Sequence, residues 1–201
     1  MRAAWAWIVL IAGCGFKSQA GQIDAAPPEH DAAGPDASTL CPASYDVTLP
    51  GPSRYRLIKS AGRAWEQSDA CVADMPGATH LVVIDTAQEL ADVTTFVSTL
   101  EVGVSNDAFW IGTVQLNTAA NPDEGWLGFD GTPMFNGWGG SEPNDGSDTS
   151  ESNHEEQFVR MAKAATFFID DKGGNKNGGL CECDGKPLAA TVAAAIDSYR
   201  P

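Results

Sequence analysis

The chain has 201 residues, with 12 basic against 27 acidic side chains and a formal net charge of −15. That length fits one domain with appendages. So acidic a surface repels phosphates and argues against nucleic acid as a partner, while it suits divalent cations or simple solubility.

The first residues read MRAAWAWIVLIAGCGF. Arg2 gives a short positive start, and residues 3–12 form an apolar run of signal-peptide length, too short to span a bilayer comfortably. The run ends in Ile11-Ala12-Gly13-Cys14, which resembles the lipobox of bacterial lipoproteins. The resemblance implies cleavage after residue 13 and a lipid on Cys14, and Gly15 in place of Asp implies the outer membrane of a Gram-negative cell. An ordinary cleaved signal followed by a cysteine is the plainer alternative. Residues 15–40 are rich in Ala, Pro, Gly and Asp and lack apolar periodicity, so residues 14–40 read as a tether. His30 is then a solvated linker residue.

A folded head follows. Tyr55, Leu57 and Ile58 mark an early strand after a Pro/Gly turn at residues 50–52. Trp65, Ser68, Val72 and Met75 recur at helical spacing over 63–75, and Pro76-Gly77 stops that helix. His80 to Ile84 is a short apolar strand, with His80 read as structural. Thr86 and Glu89 form a capping-box pattern, opening a second helix to about Leu100 with Leu90, Val93, Phe96 and Val97 inward. Phe109 to Gly112 is a buried strand. The chain then turns loop-rich until strands at 158–161, 166–169 and 179–184. Two helices early and strands with long loops later make an α+β pattern.

Five cysteines are present: Cys14, Cys41, Cys71, Cys181 and Cys183. In an exported chain the last four are expected as disulfides. Cys181 and Cys183 sit two apart on one strand, where a mutual bridge would be strained, so each reaches back to Cys41 or Cys71. Zinc is disfavoured, because Cys181-Glu182-Cys183 lacks the two-residue spacer of common zinc sites and no second such pair exists.

Trp110-Ile111-Gly112, Trp126, Asp130-Gly131, Trp138, Glu142-Pro143-Asn144 and Leu180-Cys181-Glu182, in that order, resemble a C-type lectin-like domain over residues 41–186. The resemblance implies a double-looped α+β fold with its first and last strands paired. It implies the bridges Cys71–Cys181 and Cys41–Cys183. The family's other common bridge has no cysteines here; Gln157 or Phe158 and Gly174 fall near its places, which leaves the following loop free to move without metal. The three tryptophans are read as core, and Gly139-Gly140 as a turn, since it lacks the lysine and helix of a phosphate loop.

The oddest stretch runs from Gly137 through Glu142-Pro143-Asn144 into an acidic block ending near Glu156. Calcium takes six to eight oxygens, and carboxylates and amide carbonyls both serve. Only before proline is a cis peptide bond cheap, and a cis bond lets Glu142 and Asn144 face one ion. The resemblance implies a calcium site of Glu142, Asn144, Glu156, Asp170 and Asp171, with Ile169-Asp170-Asp171 as counterpart of a Trp-Asn-Asp signature and Glu155 as the alternative to Glu156. The same resemblance implies a carbohydrate ligand, of mannose type, touching Glu142, Asn144, Glu156 and Asp170. Asp170 stands where an Asn is usual, and a carboxylate cannot donate to a sugar hydroxyl. Residues 145–155, including His154, read as a solvated loop, with auxiliary calcium ligands as the alternative.

The expectation is therefore a surface-tethered, calcium-dependent carbohydrate-binding module. The alternative is a calcium-independent module of the same fold that binds protein. No serine–histidine–acid set or reactive cysteine points to an enzyme. Glu142 and Glu156 suit shared metal ligation better than glycoside hydrolysis. In the tail, residues 187–201, Leu188, Val192, Ile196 and Tyr199 line one face of either a docked helix or a frayed end.

Overall fold

A computed structural model describes residues 41–100, 108–144, 155–163 and 165–201. The expected signal, the lipidated Cys14, the linker and the loop that holds His154 lie outside the described residues.

Strand β1 is Val47–Thr48 and β2 is Arg54–Gly62; helix α1 is Ala64–Asp74; β3 is Thr79–Leu81; α2 is Ala87–Ser98. Then come β4 at Ala108–Gln115, β5 at Trp126–Gly128, β6 at Phe158–Ala162, β7 at Ile169–Asp171, β8 at Asn177–Cys183 and α3 at Ala190–Ser198. The sheet order is β1-β2-β8-β4-β6-β7, with β3 also on β8 and β5 also on β4. The early strand β2 and the last strand β8 pair antiparallel, Tyr55 opposite Glu182 and Leu57 opposite Leu180. This is an α+β fold of the expected kind.

Two corrections concern strands. The strand read at 166–169 lies later, at Ile169–Asp171, because Ala165 to Phe167 form a turn and only Phe168 bridges to Trp138. Strand β5 was not anticipated; its three residues are too few to show an alternation. The expected capping box is half formed. Thr86 Oγ1 accepts from Glu89 N at 3.1 Å, but the Glu89 carboxylate turns to Asp85 N, also at 3.1 Å, rather than to the cap's own amide.

Strand β4 is buried along its whole length and serves two cores. Trp110 and Val114 face Trp65, Phe129, Phe158, Val192 and Ile196. Phe109 and Ile111 face Val93, Val97, Val159, Met161 and Phe168. The alternation is the period of a strand with packed layers on both sides. Gly112 sits where β4 crosses the end of β3. A Cβ there would lie 2.1 Å from the Leu81 carbonyl oxygen, so no side chain fits.

Disulfides join Cys41 to Cys183 and Cys71 to Cys181, with Cα separations of 5.9 and 5.4 Å. This is the pairing implied by the family resemblance. Where the family's further bridge is missing, the loop after β7 is nonetheless held. Gly173 lies against the Phe158 ring, its carbonyl accepts from Ala64 N at 2.9 Å, and Lys172 O accepts from Asn175 N at 2.8 Å.

The tail is a docked helix. Val192 and Ile196 of α3 are fully buried, the Tyr199 ring meets Phe158 edge-on at 5.9 Å, and Arg200 grips Asp69 with two hydrogen bonds. Replacing a buried Ile by Ala leaves a cavity as well as losing apolar contact. Ile196→Ala is expected to cost about 3 kcal/mol in urea denaturation, whereas Ala194→Glu on the exposed face changes stability by under about 0.5 kcal/mol. Equal effects of the two would mean that α3 is not docked.

Candidate metal site

The turn from Gly139 to Glu142 closes through Glu142 N to Gly139 O at 3.0 Å and delivers the Glu-Pro-Asn triplet. The Glu142–Pro143 bond is cis. Asn144 Nδ2 donates to Glu142 Oε2, and Asn144 N donates to Asp170 Oδ2 at 2.8 Å. The Glu142 carboxyl also hydrogen-bonds to Asp170 and feels the charge of Glu156. Glu142, Asn144 and Asp170 are thus gathered at one point, with Glu156 in electrostatic reach. Asp170 is buried at 3% exposure, on a strand whose alternation fixes which way it looks.

Asp171 is not gathered with them. Its carboxylate is held by other partners: it accepts from Lys172 N at 2.8 Å and Asn175 Nδ2 at 2.5 Å, and stands 2.7 Å from Arg160 Nε as an ion pair without hydrogen-bond alignment. The register of the signature shifts accordingly. The fully buried aromatic packed on Trp138 is Phe168, not the half-buried Ile169. Phe168-Ile169-Asp170 is then the counterpart of Trp-Asn-Asp. Ile169, between the buried aromatic and the gathered carboxylate, has no side-chain oxygen to offer. Glu155, the alternative to Glu156, is exposed and paired with Lys172.

Two carboxyl groups at hydrogen-bonding distance do not both ionise without a proton or a cation to screen them. Burial, the hydrogen bond to Asp170 and its charge push the Glu142 carboxyl from 4.5 up to about 7; the Asn144 amide opposes this and Glu156 adds to it. The donors are all oxygen, three carboxylates and one amide. That set fits a hard cation such as calcium and offers nothing to select a soft metal.

A second cluster escaped the sequence reading. Among the described residues, the acid and histidine trio whose ligand atoms close within 4.8 Å is His80, Glu182 and Asp184. Its signal was present as Cys181-Glu182-Cys183-Asp184, but the partner His80 is a hundred residues away. His80 is fully buried; its Nδ1 lies 2.7 Å from Leu81 O and its Nε2 3.1 Å from Asp184 Oδ1. Glu182 accepts from Val83 N at 3.0 Å, and Lys186 Nζ sits 3.3 Å from Asp184. Every member has protein partners, so the trio acts as a buried clamp of β3 on β8, in keeping with a structural His80. Burial works to lower the His80 pKa, but the hydrogen bond and charge of Asp184 outweigh it and raise the value.

The clamp opens on an acidic cavity of about 310 Å³ that also holds Tyr55, Asp85 and Glu89. Burial and the charge of Glu182 raise Glu89 to about 7.

Solved structures share this architecture. The lectin CEL-I from Cucumaria echinata superposes with a TM-score of 0.58 at 16% identity, over 73% of this chain and 99% of that one. The chain has the C-type lectin fold. The cow CD23 carbohydrate-recognition domain, in the presence of a GlcNAc2Man3 oligosaccharide, gives 0.54 at 20% identity over 72% and 95%. A calcium-independent type II antifreeze protein gives 0.54 at 20% over 72% and 94%. No protein-family model and no curated protein sequence matches the chain. None of these three is named as an enzyme, and a carbohydrate-recognition domain and a calcium-independent antifreeze protein share the C-type lectin fold.

A pH dependence follows from the raised groups. Glu142 and Glu89 bind more protons folded than unfolded between 4.5 and about 7, so stability falls as pH rises through that window. His80, raised above 6.5, adds stability at lower pH that is lost as pH climbs through its folded value. All three act in one direction. The melting temperature of the chain in chelator is expected to fall between pH 5 and pH 8, and Glu89→Gln is expected to flatten the fall. A melting temperature that rises over this range would refute the assignment.

Proposed function

We propose that the head binds calcium through Glu142, Asn144, Glu156 and Asp170 and, through that ion, a carbohydrate. The observation that carries this reading is the convergence of Glu142, Asn144 and Asp170 across 26 residues of chain onto one hydrogen-bonded point. Glu142 and Glu156 accept hydrogen bonds from sugar hydroxyls, and Asn144 donates one. Calcium held there would take two neighbouring hydroxyl oxygens as ligands. The Glu-Pro-Asn order favours mannose-type sugars by family resemblance. Asp170, as an acceptor only, recognises a hydroxyl proton rather than a hydroxyl lone pair.

Calorimetric titration of the full chain with calcium tests the site. Saturable binding is expected, weakened at least tenfold by Asp170→Asn and by the pair Glu142→Gln/Asn144→Asp. Asp171→Asn is expected to change calcium affinity by under about threefold, since its carboxylate serves Arg160, a factor worth well under 1.4 kcal/mol. Absence of heat, with no calcium-induced rise in melting temperature, would leave only the fold. The second reading, a calcium-independent protein-binding module, would then stand; Ile169 at a ligand position favours it.

We propose also that the mature chain begins at a lipidated Cys14, and that residues 15–40 tether the head to the outer membrane. A lipid anchor would cluster heads and supply avidity to weak single sites. Cys14→Ser is expected to move the protein from the detergent-rich to the aqueous phase on partitioning. Unchanged partitioning would remove the anchor from the proposal.

A further inference from the structure

Trp138 departs from the expectation that all three motif tryptophans are simply core. Trp110 is fully buried and Trp126 is 7% exposed, but Trp138 is only half-buried. Its ring is fixed edge-on between Trp126 at 4.9 Å and Phe168 at 6.1 Å. The remaining surface of this pair lines a cavity of about 350 Å³ together with Asp123, Pro133, Met134 and Asn136. Trp126 Nε1 is already committed to Pro122 O at 2.6 Å, so that indole offers the cavity its apolar surface. Asp123 and Asn136 are exposed, and neither side chain is engaged by another described residue.

Aromatic walls that present apolar surface, with a carboxylate and an amide at the rim, match the two surfaces of a hexose ring. Its C–H faces lie on indole, and its hydroxyls donate to Asp123 and exchange hydrogen bonds with Asn136. The lining carries one negative charge and no cation, which disfavours sulfated and acidic sugars. Trp138, one wall of the cavity, stands four residues before Glu142 of the calcium site proposed above. The Gly139–Glu142 turn brings its ends within about 7 Å, so the Cα atoms of Trp138 and Glu142 are at most about 11 Å apart. That is within reach of two or three linked hexose units.

We propose that this cavity is a second sugar subsite, and that the ligand of the head is a neutral oligosaccharide whose next ring rests between Trp138, Asp123 and Asn136. This rests on the calcium-site reading. Both walls are already fixed by packing, so ring binding costs little ordering of the protein.

The test is calorimetry of the full chain in calcium with methyl mannoside and with a linear mannotriose, on wild type, Asp123→Ala and Asn136→Ala. Both replaced residues are exposed, and Trp138→Phe provides a third variant that keeps an aromatic against Phe168. The expected result is mannotriose at least tenfold tighter than the monosaccharide, with that advantage lost in Asp123→Ala and Asn136→Ala while monosaccharide affinity is unchanged. Equal affinity for the two sugars, or an advantage that the variants leave intact, overturns the subsite and leaves the calcium site standing. Calcium binding with no affinity for either sugar overturns the carbohydrate reading and the subsite together.

Discussion

All seven residues of β8 are buried, and the rest of the head hangs on that strand. A buried backbone must pair its amides and carbonyls within the protein. Strand β8 does so with β2 on one side and β4 on the other, and with β3 along its C-terminal half. The sequence Asn-Gly-Gly-Leu-Cys-Glu-Cys suits this demand. The Gln67 side chain lies where a Cβ of Gly179 would meet it, and Gln67 Nε2 donates to Asn177 O at 3.1 Å and Ser60 O at 2.8 Å. The two cysteines then bind the strand covalently to α1 and to the start of the head. Glu182, a buried acid near the end of this strand, is met by His80, Ser53 and Val83 N.

With β8 and β4 held, the candidate site is built at the far edge of the sheet, on the short strand β7 and the loop before β6. That division matters physically. The β2–β8–β4 framework spends its stability on burial and two disulfides, which leaves the edge able to hold three carboxylates that repel one another. Such repulsion costs stability in the chain without a cation and is repaid when a cation or proton arrives.

Most of the framework was legible in the sequence because its signals are local. The spacing of Trp65, Ser68 and Val72, the Thr86 cap and the apolar run at Phe109 each fit within one or two turns of chain. The order of tryptophans, glycines and Glu-Pro-Asn carried the fold. What was not legible depends on facing rather than spacing. Phe167, Phe168 and Ile169 are three apolar residues in a row, and nothing local tells which of them enters the core. Aligning Ile169 with the tryptophan placed both Asp170 and Asp171 in the site, whereas the structure gathers Asp170 with Asn144 and leaves Asp171 with Lys172 N, Asn175 and Arg160. The His80–Asp184 contact was invisible for another reason, since its partners are 104 residues apart and are joined only by sheet pairing.

That misalignment changes the chemistry asked of the site. With Asp170 in the Asn position, the ligand count would be kept and one hydrogen-bond donor exchanged for an acceptor. With Ile169 there instead, a calcium site of the proposed kind would keep the Asp170 carboxylate as a ligand and lose a neutral one. An ion held there would then rely more heavily on charge from Glu142, Glu156 and Asp170 than on coordination number. Binding dominated by charge is more sensitive to protons and to salt than binding dominated by neutral oxygens. On the proposed reading, a sugar with one donor fewer beneath it would gain correspondingly more from contacts outside the ion's reach, such as the Trp126–Trp138 wall and the amide of Asn136.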